Sequence, residues 1–195
     1  MKMKKHWYLT ILLIVGSIHS TAVSQPTKPD TSKAPATKVE AFLSKKGTLV
    51  IKDFYKLSEI SGNYATSMNF SALNAYIPGQ ESEKTQGLKI EIEEEGTYRQ
   101  THSSFLDIEE IESLSKAISY MANLIDQWKG STKDYSEIMF STKDDFKIGF
   151  YQKESKFTAF ASSGIIGQTS CFFSVEQLPS IKTIADQAIS LLKTK

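Results

Sequence analysis

Apolar and charged residues alternate strictly between Leu88 and Glu93, and a second alternation runs from Phe146 to Phe150. A period of two is typical of a β-strand with one solvated face. Turn-forming residues separate six further segments that are rich in β-branched and aromatic residues. The pattern therefore predicts eight strands, the other six at residues 48–57, 67–77, 98–105, 136–140, 156–161 and 168–173.

Apolar residues at three-and-four spacing predict a long amphipathic helix from Ile108 to Trp128. Asp107 precedes this run and Glu110 follows three residues later, which is the pattern of a capping box. Gly130 is expected to end the helix.

A second amphipathic run extends from Leu178 to Leu192, and Ser174 with Gln177 repeats the capping pattern ahead of it. Pro179 is tolerated only in the first turn of a helix. The second helix is therefore expected to start at or near Pro179.

The two helices and the strands before them indicate an internal repeat. Residues 100–105 align with residues 168–173 at an offset of 68, and residues 107–114 align with residues 174–181 at an offset of 67. In each copy a strand ends in an aromatic residue, a capping residue follows, and an amphipathic helix begins. We infer an α+β domain built from a duplicated antiparallel four-stranded meander plus helix, ββββα twice, with halves at about 42–130 and 131–195.

This layout resembles the architecture of the Whirly and PUR-type single-strand-binding proteins. The resemblance covers topology only, and no nucleic-acid-binding motif of those families can be placed on this sequence. Residues 105–111, FLDIEEI, also resemble the strand-to-helix junction of exported bacterial proteins of unknown function. That resemblance implies a fold and no activity.

The N-terminus has the tripartite form of a secretory signal peptide over residues 1–24. Three lysines precede an apolar run from Leu9 to Val15, and small residues lead to an expected cleavage after Ser24. The apolar run is shorter than the roughly 20 residues of a membrane-spanning helix, and no second one follows, so no membrane anchor is expected after cleavage. Residues 25–41 contain three of the five prolines and predict a disordered spacer before a single domain at 42–195. We expect a periplasmic or secreted protein.

Charge argues against a nucleic-acid partner. Loss of residues 1–24 leaves 20 basic and 22 acidic residues, a net charge of −2, and Arg99 is the single arginine. One arginine is too few for extensive bidentate recognition of phosphate or guanine, and the lysines are interspersed with acidic residues.

The candidates for catalysis are few, because the expected mature chain holds one cysteine, Cys171, and one histidine, His102. Two such ligands do not make a zinc site, so neither a metal nor another cofactor is predicted. A cysteine-dependent enzyme would need His102 within hydrogen-bond reach of a thiolate activated near a helix N-terminus. Phenylalanines follow Cys171, however, and this context favours a small buried hydrophobic residue.

Two other clusters have structural interpretations. Glu91, Glu93 and Glu95 should share the wet face of one strand, where a calcium site is an alternative to a charged face that blocks strand pairing. Tyr64, Phe70 and Tyr76 lie among asparagines, and either core packing or contact with a sugar or peptide would explain this mixture.

The sequence therefore predicts an exported, non-enzymatic binding domain with a protein, peptide or glycan partner and no assignable catalytic, metal or cofactor residues. One alternative is an enzyme that uses Cys171 and His102. Another is a single-stranded nucleic-acid-binding protein, suggested by the topological resemblance.

Overall fold

The computed structural model describes residues 34–96, 99–165 and 167–195, and these form two antiparallel four-stranded sheets, each followed by a long helix. This confirms the predicted α+β fold with a duplicated ββββα layout, including all eight strands and both helices. After a short helix α1 (Lys38–Leu43), the first half comprises β1 (Ile51–Ser61), β2 (Thr66–Tyr76), β3 (Thr85–Glu94), β4 (Gln100–Asp107) and α2 (Ile108–Trp128). The second half comprises β5 (Lys133–Ser141), β6 (Lys147–Glu154), β7 (Lys156–Ser163), β8 (Thr169–Phe173) and α3 (Leu178–Thr194).

The ordered fold begins earlier than the predicted boundary at residue 42. Residues 1–24, the predicted signal peptide, and residues 25–33 of the predicted spacer lie outside the described residues. Residues 38–41, assigned to the same spacer, instead belong to α1, where Val39 is fully buried. The domain is thus corrected to include α1.

Asp107 explains why such a short helix is ordered. Its carboxylate accepts backbone N–H groups from Lys38 at 3.1 Å and Val39 at 3.2 Å, and it forms the predicted capping box of α2 with Glu110. Donors at the N-termini of two helices are therefore satisfied by one buried side chain.

Both long helices start where the sequence predicts, α2 from its cap and α3 from the position of Pro179. Helix α2 begins directly after Asp107, and α3 begins at Leu178 with Pro179 in its first turn. The capping box of Ser174 and Gln177 encloses a 3-10 turn that leads into α3. The helices pack side by side, and Ser115 of α2 donates a hydrogen bond to Asp186 of α3 at 2.6 Å.

One hydrophobic core joins the two halves. It is formed by the inner faces of both sheets together with the apolar sides of α2 and α3. Helix α3 lies against β1 and β2 of the first sheet, while Trp128 at the end of α2 packs edge-on against Phe150 of the second sheet at 5.6 Å. The fully buried large residues include Phe70, Phe146, Phe150, Phe173, Met68, Leu88, Ile90, Ile92, Leu106, Ile111 and Leu114.

The register corrects the repeat alignment within the last strand of each half. Leu106 and Phe173 are both buried and both directly precede the capping residue, so the offset of 67 that relates the caps also holds in the strands. Buried Ser104 therefore corresponds to buried Cys171, whereas the offset of 68 paired Cys171 with exposed Ser103. A one-residue slip moves every side chain of a strand to the other face, and that was the error.

The halves also exchange contacts through their first hairpins. Asn63, in the β1–β2 turn, donates its backbone N–H to the Phe172 carbonyl at 2.7 Å. In the other direction, Asp144 of the β5–β6 turn accepts the backbone N–H of Phe105 at 2.8 Å. Since Phe105 and Phe172 are equivalent by the offset of 67, the last strand of each half holds the first hairpin of the other.

Candidate functional site on the outer face of the second sheet

The structure places Cys171 and His102 in different surroundings. Cys171 lies on the inner face of β8, is fully buried, and is hydrogen-bonded to Thr66 beside Gly62. Burial raises the pKa of the thiol, and its interaction with the Thr66 hydroxyl offsets this only in part. A raised pKa is the opposite of what a nucleophilic thiolate requires.

His102 is half-buried on β4 and packs against the β7–β8 hairpin. A Cβ added to Gly164 would lie 2.8 Å from Nδ1 of His102 and 3.2 Å from its Cε1, so the ring rests on the backbone of that turn. The contacts described for Cys171 are with Thr66 and Gly62, and those for His102 are with Gly164 and Gly167. The Cys171 thiol is thus buried beside Thr66, whereas the His102 ring lies on the β7–β8 hairpin.

The acidic residues of β3 do share one face, as the alternation predicted. Glu91 and Glu93 line a shallow depression of about 410 Å³ together with Glu95 and Lys56. Glu91 is held by Lys89 and Ser103, and Arg99 pairs with Glu93. Burial opposes ionisation of Glu91, but those hydrogen bonds outweigh it and lower its pKa. No group of three or more possible metal ligands occurs among the residues that the structure describes.

The polar-aromatic segment does not form one surface. Phe70 is part of the core, with 1% of its surface exposed, whereas Tyr64 is 86% exposed at the tip of the β1–β2 hairpin. Tyr64 and Ala65 adopt positive φ angles there, which identifies this stretch as a tight turn.

Aromatic residues do gather on the outer face of the second sheet. Three large hydrophobic side chains on this face are exposed: Tyr135 at 57%, Met139 at 48% and Phe172 at 38%. Tyr151 and Phe160 lie half-buried between them. Tyr135 stacks on Tyr151 with ring centroids 5.7 Å apart, and Tyr151 contacts Phe160 at 6.5 Å. We call these five residues the aromatic face.

Strand register sets the order of this face. Met139 lies opposite Gly149 of β6, Gly149 lies opposite Phe160 of β7, and Phe160 lies opposite Phe172 of β8. Gly149 therefore contributes no side chain in the middle of an apolar row. A Cβ there would overlap the carbonyl oxygen of Ile138 and lie 3.0 Å from Cα of Met139. The close approach of β5 to β6 thus requires glycine.

A polar row runs beside the apolar one. Lys147 lies opposite Ser162, and Ser162 lies opposite Ser170. On the other side, the Tyr135 hydroxyl donates a hydrogen bond to Glu137, which raises the pKa of Tyr135. These groups and the aromatic face enclose a depression of about 360 Å³. It is an apolar floor with polar groups along its edges, which is the composition of a binding surface.

The equivalent part of the first sheet is covered. The inner-face row Ala72, Leu88 and Leu106 corresponds to the row Phe150, Ala159 and Phe173, because Leu106 and Phe173 both precede a helix cap. Leu73 follows Ala72 in β2 and Tyr151 follows Phe150 in β6, so Leu73 corresponds to Tyr151 on the outer face. Leu73 is fully buried in a cluster with Val39 and Phe42 of α1.

Sequence reasoning missed the aromatic face because it searched irregular segments for exposed aromatics. A signal was present in the strands themselves. Adjacent apolar residues at Phe150–Tyr151, Ala159–Phe160 and Phe172–Phe173 require that one of each pair points away from the core. Apolar residues on both faces of neighbouring strands indicate a sheet with a second contact surface.

No family model matches the chain, and comparisons with curated proteins and with solved structures give no match. None of the helices in the described part of the chain is long and apolar enough to cross a membrane. The case for a function therefore depends on the chemistry of the surface.

Proposed function

We propose that this protein is an exported, non-enzymatic interaction domain that binds another polypeptide on the aromatic face. Export is inferred from residues 1–24, and the binding role is supported by the exposed row of Met139, Phe160 and Phe172 beside Tyr135 and Tyr151. Aromatic residues and methionine are enriched in protein interfaces, and their desolvation supplies much of the binding free energy.

Among the possible ligands for such a face, a polypeptide agrees best with the side chains present. Phe172 and Met139 have no polar group to share with sugar hydroxyls, and each is more than one-third exposed. Each Å² of apolar surface that a partner covers contributes about 25 cal/mol to the binding free energy. A single lysine, Lys147, lies in the depression beside Glu137, which provides little of the phosphate contact that nucleic acid requires.

Site-specific photo-crosslinking tests the proposal. A photoreactive phenylalanine analogue replaces Phe172 in the full chain produced in its own cells, and a matched chain carries the analogue at Phe54. Phe54 is 48% exposed on the outer face of the first sheet, so it controls for exposure and for residue type.

We expect a discrete protein adduct from position 172 and none from position 54. The adduct should disappear when Phe160→Ser or Met139→Ser is added, with thermal unfolding unchanged in the Met139 variant. Failure to form a protein adduct at 172, or the same adducts from both positions, would contradict the proposed function.

A further inference from the structure

Helix α1 shows how a polypeptide segment occupies the outer face of a sheet in this fold. Val39 and Phe42, three residues apart, point to the sheet and pack with Leu73 and Ala75. Val39 sits directly on backbone, since a Cβ added to Gly87 would lie 2.6 Å from its Cγ2. Val39 and Phe42 at helical spacing, the bare backbone of Gly87 and the Asp107 carboxylate together seat the six residues of α1 on the first sheet.

The second sheet presents corresponding features with nothing described on them. Tyr151 is equivalent to Leu73, and Phe172 is equivalent to Phe105, which packs against the α1 cluster. The Cβ position of Gly149, between Met139 and Phe160, is filled by the backbone of β5, so the floor of this surface is formed by side chains such as Tyr151, Phe160 and Phe172. Thr158 takes the position of Gly87, so an occupant would contact side chains of the second sheet rather than bare backbone.

Charges around this surface favour an acidic partner. Lys147 flanks the apolar row on one side, and Lys153 lies two residues beyond Tyr151 on the other, opposite Lys156. Among the described residues none of these three lysines forms an ion pair. The carboxylate of Glu137 on the same face already accepts the hydrogen bond of Tyr135.

We infer that the occupant of the aromatic face is a short amphipathic helical segment of another protein, with two apolar side chains three residues apart and acidic residues at its flanks. This inference rests on the proposed function and specifies the partner's chemistry. The apolar pair packs on Tyr151, Phe160 and Phe172 in the depression, and the acidic flanks approach Lys147 and Lys153.

Fluorescein-labelled synthetic helical peptides provide the probe. One peptide carries Val and Phe three residues apart between glutamate flanks, a second has the same centre with lysine flanks, and a third keeps the glutamates but places Val and Phe two residues apart. Binding to the full chain is measured by fluorescence anisotropy at low and high salt. The same measurement is made on the double variant Lys147→Glu/Lys153→Glu and on Phe172→Ser.

The glutamate-flanked peptide with the correct spacing should bind on the order of tenfold more tightly than either other peptide at low salt. The double variant should reverse the preference for flank charge, and Phe172→Ser should weaken binding without changing that preference. Circular dichroism of each variant confirms that the fold is retained.

Equal binding of the three peptides, or binding of none, would overturn the inference. So would preferential binding of oligothymidylate, or a concentration-dependent dimer that Phe172→Ser abolishes, because the occupant would then be nucleic acid or a second copy. If the peptides fail while the crosslink at position 172 persists, the partner chemistry is wrong and the proposed function stands. Loss of both results would refute the two together.

Discussion

The buried carboxylate of Asp107 accepts the backbone N–H of Val39 at 3.2 Å, which joins the first helix of the described chain to the cap of the helix that follows the first sheet. The same carboxylate accepts the N–H of Lys38 and lies 3.5 Å from Nζ of Lys143. A single side chain therefore couples α1, α2 and the β5–β6 turn.

Asp107→Ala should lower the free energy of unfolding by about 3 kcal/mol, because it removes a helix cap and leaves buried donors without an acceptor. Urea denaturation followed by circular dichroism measures the change. Asp107→Asn retains one acceptor oxygen and should lose less than half as much. Equal losses in the two variants would show that the second oxygen and the charge account for the whole contribution of Asp107 and that the retained oxygen contributes nothing.

Gly149→Ala should destabilise the domain by at least about 2 kcal/mol, since the new methyl group collides with backbone rather than with a movable side chain. Gly96→Ala is the matched control, because nothing lies within 4 Å of a Cβ at that position. Thermal unfolding of both variants makes the comparison. A Gly149→Ala protein as stable as the Gly96→Ala control would mean that β5 and β6 separate without cost.

The Cys171 thiol should not react with Ellman's reagent in the native protein at pH 8, because it is buried and its pKa is raised. In urea the labelling should follow the unfolding transition. His102→Ala should leave the native labelling rate unchanged, since His102 packs on the β7–β8 hairpin instead. Rapid stoichiometric labelling that depends on His102 would restore the cysteine-dependent enzyme as a candidate.

Ionisation of Asp186 should make the free energy of unfolding depend on pH in the acidic range. The hydrogen bond from Lys182 is the largest cause of the lowered pKa of Asp186, and the hydrogen bond from Ser115 adds to it. Since the folded pKa is below the unfolded value of about 3.9, the contribution is complete above that pH and is lost as pH falls through the folded pKa.

The side chain of Asp186 is 48% exposed, so solvent screening limits the effect, and Asp186→Asn should cost about 0.5 kcal/mol at pH 7. The difference between wild type and variant should shrink towards zero near pH 2. Urea midpoints at pH 7, 4 and 2 measure it. A difference that stays constant over this range would assign the effect to something other than ionisation.

Much of the fold was predictable because its signals are local. The alternation places Leu88, Ile90 and Ile92 in the core. The capping pairs, Asp107 with Glu110 and Ser174 with Gln177, mark the entries to α2 and α3. Each signal reflects side-chain direction within one element or a hydrogen bond between residues three apart.

Helix α1 could not be predicted in the same way. Its six residues follow a proline- and lysine-rich stretch and are too few to form a stable helix alone. Its order depends on Asp107 and Leu73, which are distant in sequence. The repeat alignment failed for a related reason, since matching residue letters do not reveal which face of a strand a side chain occupies.

The sequence by itself determined the number and type of the elements, because apolar periodicity and helix caps act within a few residues. Tertiary structure decided what those elements expose. Because both sheets pack on one pair of helices, Phe150 and Phe173 lie in the core, whereas Tyr151 and Phe172 lie on the outer face of the second sheet. It also enclosed Cys171 beside Thr66 and set His102 against Gly164. A side chain is buried only if its face packs against another element, and which elements pack together is determined by contacts between residues far apart in sequence.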